Sequence, residues 1–92
     1  MKILIDNGIY PNIRGYKYIE RTVEELKKDP YKIHGIHKGL FVDLAKEFNT
    51  TSSRIERCIR HAMTKGGFEC KLREFLICLA NDINLEGLKC KN

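Results

Sequence analysis

The sequence predicts an all-α, compact helical domain that contains a helix-turn-helix, preceded by a short extended lead-in. Three observations carry that prediction. Apolar residues recur at three- and four-residue steps in several separate segments. Two of those segments are joined by a short polar break rich in capping residues. The second of the pair also crowds its cations onto one side.

Residues 3–13 read ILIDNGIYPNI. Asn7-Gly8 and Pro11 are turn chemistry that interrupts any long element, so an extended stretch with room for one short strand is expected. From Arg14 the pattern changes. Tyr16, Ile19, Val23 and Leu26 recur at helical steps with Glu and Lys between them, which predicts an amphipathic helix from Gly15 to about Lys28, stopped by Asp29-Pro30. PYKIHGIHK begins with proline at a first-turn position and is weakened by Gly35, so it offers at most a short helix.

Gly39 to Phe48 is a clearer helix, with Leu40, Phe41, Leu44, Ala45 and Phe48 on one face and Asp43, Lys46 and Glu47 turned away. Asn49 suits its C-terminus. Either Thr51 or Ser53 suits the N-cap of the next helix, and Ser53-Arg-Ile-Glu56 fits the capping-box pattern. That helix runs to about Lys65 and is closed by Gly66-Gly67. A last helix carries Leu72, Phe75, Leu76, Leu79 and Ile83 as a core-facing stripe, and the polar tail GLKCKN is expected to fray.

Ninety-two residues suit one domain, 1–92, with a modest core. No repeat, low-complexity tract or Pro/Gly/Ser-rich linker marks a boundary inside it. The balance of 17 Lys+Arg against 12 Asp+Glu gives a net charge of +5 and a pI near 9.1, which favours a polyanionic partner. The opening MKILIDNG lacks the apolar core of a signal peptide and no run approaches a membrane span, so a cytoplasmic protein with no membrane partner is expected. Cys58, Cys70, Cys78 and Cys90 form no C-x-x-C pair and are expected as reduced thiols, with Cys58 and Cys78 in or beside the core.

The most informative stretch is FNTTSSRIERCIRHAMTKG, Phe48 to Gly66. At about 100° per residue, Ile55, Ile59, Ala62 and Met63 fall on an inner arc, while Ser53, Arg54, Glu56, Arg57, Arg60, His61 and Thr64 cover the outer one. Two short helices with a polar turn and cations on the outer face of the second outline a DNA-binding helix-turn-helix. Arginine can fork onto guanine O6 and N7, glutamate can accept from cytosine N4, and Ser, Thr and His can hold phosphates. Glu56 repels a phosphate backbone, so its place between Arg54 and Arg57 points to base reading. The blander alternative is a solvated face on which Glu56 pairs with Arg60 at i+4.

LFVDLAKEFNTTSSRIERCIRHAM, together with GIYPNIRGYKYIERTVEEL upstream and REFLICLANDINL near the end, resembles the C-terminal DNA-binding effector domain of the stage-zero sporulation protein A family of response regulators. The most specific element is NTTxSRxERxIRHA, which stands here as Asn49 to Ala62. The resemblance implies an all-helical bacterial transcription regulator that binds short TGTCGA-containing promoter elements. It places Glu56, Arg57 and Arg60 at base-contacting positions, and Ser53, Arg54 and His61 at neighbouring positions that support backbone contacts. A dimer on DNA and contact with RNA polymerase are the further partners it suggests. Two departures stand out. The family usually carries an N-terminal receiver domain, for which this chain has no room, so phosphorylation is not expected to act in cis. TKGGFECKL also joins the recognition helix directly to the last helix, where the family has a longer segment with an additional helix.

Rival readings are weaker. His34 with His37, and Cys58 with His61, each place two soft ligands three residues apart, but Gly35 disturbs the first pair and DNA contact explains His61 better than zinc does. A Cys-His nucleophile needs a base and an oxyanion pocket that spacing does not supply, and Gly66-Gly67 lacks the rest of a P-loop. Tyr16 and Tyr18 beside Arg14, Lys17 and Arg21 suit a helix core boundary better than base stacking. No enzyme activity, cofactor or metal is therefore expected. The main alternative is a protein-interaction module of the same fold that binds or antagonises a full-length regulator or RNA polymerase through its last helix.

Overall fold

In the computed structural model, which describes residues 1–89, the chain forms α1 (Lys2–Asp6), α2 (Arg14–Lys28), a 3-10 turn (Pro30–Ile33), α3 (Leu40–Glu47), α4 (Ser52–Lys65), α5 (Leu72–Ala80) and a final 3-10 turn (Glu86–Leu88). The Cα radius of gyration is 12.2 Å, against about 12 Å expected for a folded chain of this length. α2 is the central helix and packs against α4, α5 and α3. Its buried stripe of Tyr16, Ile19, Val23 and Leu26 follows the spacing read from the sequence. Ile19, Ile36, Phe41, Ile55, Ile59, Phe75 and Leu76 are fully enclosed, and burying each such side chain contributes about 1.5–3 kcal/mol before the cost of ordering it.

The seam between α2 and α4 is closed by Gly15. A Cβ on that residue would lie 2.2 Å from the Cys58 carbonyl oxygen and 2.9 Å from Ala62 Cβ, so only glycine lets the two backbones meet. Thr22, the one buried polar side chain among the described residues, bonds its Oγ1 to the Tyr18 carbonyl at 2.7 Å.

Four helices end in the same device. A residue in the left-handed region follows each last turn: Gly8 (φ +84°), Asn49 (φ +54°), Gly67 (φ +77°) and Asp82 (φ +54°). In each case the next residue's N–H returns to a carbonyl five positions earlier: Ile9 to Leu4 (2.8 Å), Thr50 to Ala45 (2.8 Å), Phe68 to Met63 (2.9 Å) and Ile83 to Cys78 (2.9 Å). These are Schellman closures, which satisfy carbonyls that the helix end would leave bare.

This device explains two corrections. Residues 3–13 do not form an extended lead-in or a strand. Lys2–Asp6 is a helix, and Asn7-Gly8 is its stop, with Leu4 and Ile9 buried as its anchors. α5 likewise ends at Ala80, because Asn81 Nδ2 bonds the Ile77 carbonyl at 2.8 Å and Asp82 turns left-handed. Ile83 therefore leaves the expected stripe and is half exposed, while Leu85 is buried.

The tail is tied down as far as Lys89. Glu69 N–H bonds the Leu88 carbonyl at 2.8 Å, Phe68 and Lys89 form a β-bridge, and Lys89 Nζ donates to the Gly66 carbonyl at 2.8 Å while lying 4.6 Å from the Phe68 ring centroid. A cation thus meets the C-terminal carbonyls of α4, where the helix dipole favours it. The last three positions of the expected fraying tail, with Cys90, lie outside the described residues. Cys58, Cys70 and Cys78 are half-buried free thiols, and burial followed by the nearby Glu74 charge pushes the Cys70 thiol above its usual pKa.

Candidate nucleic-acid interface

α3, the turn at 48–51 and α4 make the helix-turn-helix. Leu40, Phe41, Leu44 and Ala45 bury the inner face of α3, and Phe48 packs edge-on against Tyr18 with centroids 5.1 Å apart. The start of α4 is fixed by Thr51, whose Oγ1 accepts from the Arg54 N–H at 3.2 Å. Ser53 is therefore a first-turn residue with an exposed side chain, and no capping box forms with Glu56.

α3 is braced from behind. Arg21 on α2 donates to Glu25 at 2.7 Å and to Glu47 at the end of α3 at 2.9 Å, and Lys32 donates to Glu25 at 2.8 Å. These bonds hold the Glu25 carboxyl at about 2, well below the usual carboxylate range, and raise Arg21 and Lys32. Glu24, Glu25 and Glu47 are thus engaged by Arg21 and Lys32, and none of the three lines either recess beside α4.

Ile55, Ile59, Ala62 and Met63 are buried beneath α4, and Ser53, Arg54, Arg57, Arg60, His61 and Thr64 are exposed. On a helix of 3.6 residues per turn, Arg57 lies at the centre of that arc, Arg54 and His61 about 40–60° to one side, and Ser53 and Arg60 about 40–60° to the other. Glu56 sits lower, about 100° from Arg57 on the Arg60 side. There it meets His37, with Nδ1 2.6 Å from Glu56 Oε1, while Arg60 Nε lies 3.4 Å from Oε2. His37 itself is edge-on to Phe41 at 5.4 Å.

The outer face thus has two flanks. His37, Ser52, Ser53, Glu56, Arg57 and Arg60 line one recess. Arg14, Tyr18, Thr50, Arg54, Arg57 and Cys58 line the other. Among the described residues, Arg14, Arg54 and Arg57 make no ion pair. The expected side chains of α4 are therefore on one face, with the i+4 pairing of Glu56 and Arg60 also present.

Two contributors were not expected from the sequence. His37 enters from the loop before α3 as a partner of Glu56, and Arg14 enters from the first turn of α2. Neither carries a local signal, because both meet α4 only through tertiary packing. Tyr16 and Tyr18 are buried, so their faces belong to the core. His34 lies near Tyr31, with ring centroids 6.4 Å apart. Among the described residues, no three His, Cys, Asp or Glu side chains gather as a metal site, and no helix is long and apolar enough to cross a membrane.

The five α-helices among the described residues, with a capped, cation-bearing helix following a tight turn, have the outline of a helix-turn-helix domain. The chain matches the family described as Sporulation initiation factor Spo0A C terminal over residues 1–86, and it belongs to that family. This is a family of DNA-binding effector domains in transcription regulation and sporulation, and not an enzyme family.

Proposed function

We propose that the protein binds double-stranded DNA sequence-specifically as a transcription regulator, with α4 lying in the major groove. The observation that carries this reading is the outer arc of α4: Arg57 stands at its centre with no ion pair among the described residues, flanked by Arg54, Arg60, Ser53 and His61. An unpaired guanidinium at the crest of a groove-sized helix is suited to fork onto guanine. Glu56 and Arg60 contact neighbouring bases, and each oxygen of Glu56 retains a lone pair for a cytosine amino group beside its contact with His37 or its bond to Arg60. Ser53, Arg54 and His61 fix register on phosphates. Short TGTCGA-containing promoter elements are the targets that the family resemblance implies.

Selection of bound duplexes from a random pool, with Arg57→Ala alongside, tests the reading. The wild type should enrich one short motif, and the variant should lose about 1–3 kcal/mol on that motif and relax at one base pair. An equal loss on every sequence would show that Arg57 does not read bases.

One observation favours a second reading, a protein-interaction module. Leu26, Pro30, Ile33, Ile77 and Ala80 line an apolar groove of about 310 Å³ on α2 and α5, and Ile77 is 40% exposed. A module of that kind, bound to a regulator or to RNA polymerase, would tolerate substitution of Arg54, Arg57 and Arg60.

A further inference from the structure

We infer that the start of α5 is a second grip on DNA, in which Lys71 and Arg73 hold backbone phosphates beside the groove that α4 occupies. The inference rests on the DNA-binding reading of α4 and extends it to residues outside the helix-turn-helix.

The geometry begins with Arg60. It lines the recess shared with Glu56 and His37, and it also lines a neighbouring one formed with His37, Lys71, Leu72 and Arg73. The cationic face of α4 is therefore continuous with the first residues of α5. Leu72 is buried between the two cations and pins that segment, whereas Lys71 and Arg73 are exposed. Among the described residues, neither has an ion-pair partner. The acidic residues nearest in sequence, Glu69 and Glu74, do not line the recess, and Glu74 acts on Cys70. Glu56, the carboxylate that lines the adjoining recess, is already engaged by His37 and Arg60.

A helix with its side chains is about 10–12 Å across and the major groove about 12 Å wide. α4 alone therefore fills the groove. Cations carried beside it on another element meet the phosphate rim and not the base edges. Arg73 can bind a phosphate bidentately, and Lys71 supplies a point charge. Each contact releases counterions and steepens the salt dependence of binding without sequence information.

The test uses the full chain with Lys71→Gln and Arg73→Gln together, measured on the selected duplex and on a scrambled one over a range of salt. Two lost phosphate contacts reduce the slope of log affinity against log salt by about 1.8, so the fall between about 50 and about 200 mM salt shrinks about 12-fold. The ratio of selected to scrambled binding stays at the wild-type value. A charge-matched control, Lys27→Gln with Lys28→Gln, removes the same charge about 21 Å along α2 from Arg14 and leaves the slope unchanged. The charge-conserving pair Lys71→Arg with Arg73→Lys keeps the wild-type slope and guards against loss of fold.

A wild-type slope in the Gln pair, or the same change in the Lys27/Lys28 control, overturns the grip while leaving α4 as the reader. A fall in the selected-to-scrambled ratio also overturns it, because phosphate contacts cannot produce one. Wild-type protein that prefers no sequence overturns both readings.

Discussion

Replacing Gly15 by alanine sets two physical effects against each other with opposite signs. Gly15 lies in the first turn of α2, and alanine is favoured over glycine there by at most the helix-interior value of about 0.5–1 kcal/mol. In this fold the added methyl would sit 2.2 Å from the Cys58 carbonyl oxygen, 2.8 Å from the Cys58 carbonyl carbon and 2.9 Å from Ala62 Cβ. The first two are backbone atoms, so no rotamer change relieves them, and α2 must move from α4 by roughly 1 Å to restore van der Waals contact. Overpacking of this kind costs typically about 1–3 kcal/mol and occasionally more. The clash exceeds the propensity gain, and Gly15→Ala is expected to destabilise the protein by about 1–2 kcal/mol.

Urea unfolding followed by far-UV circular dichroism reads that change as a lower midpoint at constant m. Gly87→Ala, at a position with nothing within 4 Å of the new methyl, is the neutral control. If Gly15→Ala instead raised the midpoint, as helix propensity alone would have it, the close approach of α2 and α4 would be refuted. The placement of α4 would fall with it.

Three further outcomes follow from the same geometry. Thr51→Ala removes the acceptor of the Arg54 N–H and should cost about 0.5–2 kcal/mol, seen as a lower Tm, with Thr51→Ser restoring most of it. The Glu25 carboxyl drops from 4.5 toward about 2 in the folded chain. Its contribution is therefore complete above the unfolded value and is lost as pH falls through that window to the folded one, so Glu25→Gln should flatten the acid limb of a stability profile between those two values. His37→Ala releases one oxygen of Glu56. Discrimination at the base pair facing Glu56 should fall about two- to tenfold in competition binding, with discrimination at the Arg57 position unchanged.

The helices that could be read from the sequence are those long enough to show their period. α2 and α4 each repeat their apolar residues over several turns, and their bounds in the fold differ little from the pattern. α1 has five residues, too few for any period to emerge, so Asn7-Gly8 read as a turn between extended segments and not as a helix stop. Asn49 and Gly66-Gly67 announced their stops because Asn and Gly favour the left-handed region. Asp82 does so less strongly, and Ile83 continued the apolar spacing past the true end of α5.

The same division holds at the candidate site. The arc of Ser53, Arg54, Arg57, Arg60 and His61 is a property of one helix and follows from 100° steps. The pairing of His37 with Glu56, and the approach of Arg14, Lys71 and Arg73 to the sides of α4, depend on how separate elements pack. Single-helix periodicity is silent on all of them. The sequence offers His37 only the soft-ligand spacing with His34 that Gly35 disturbs, whereas its partner in the fold is the Glu56 carboxylate.

The most direct test of the central claim is an amide chemical-shift titration of the isotope-labelled protein with its selected duplex. With α4 in the DNA major groove, the largest changes fall on residues 53–61, and the cleft lined by Leu26, Ile33, Ile77 and Ala80 stays quiet. Changes concentrated on that cleft, with the amides and guanidinium groups of Arg54, Arg57 and Arg60 unmoved, would contradict it.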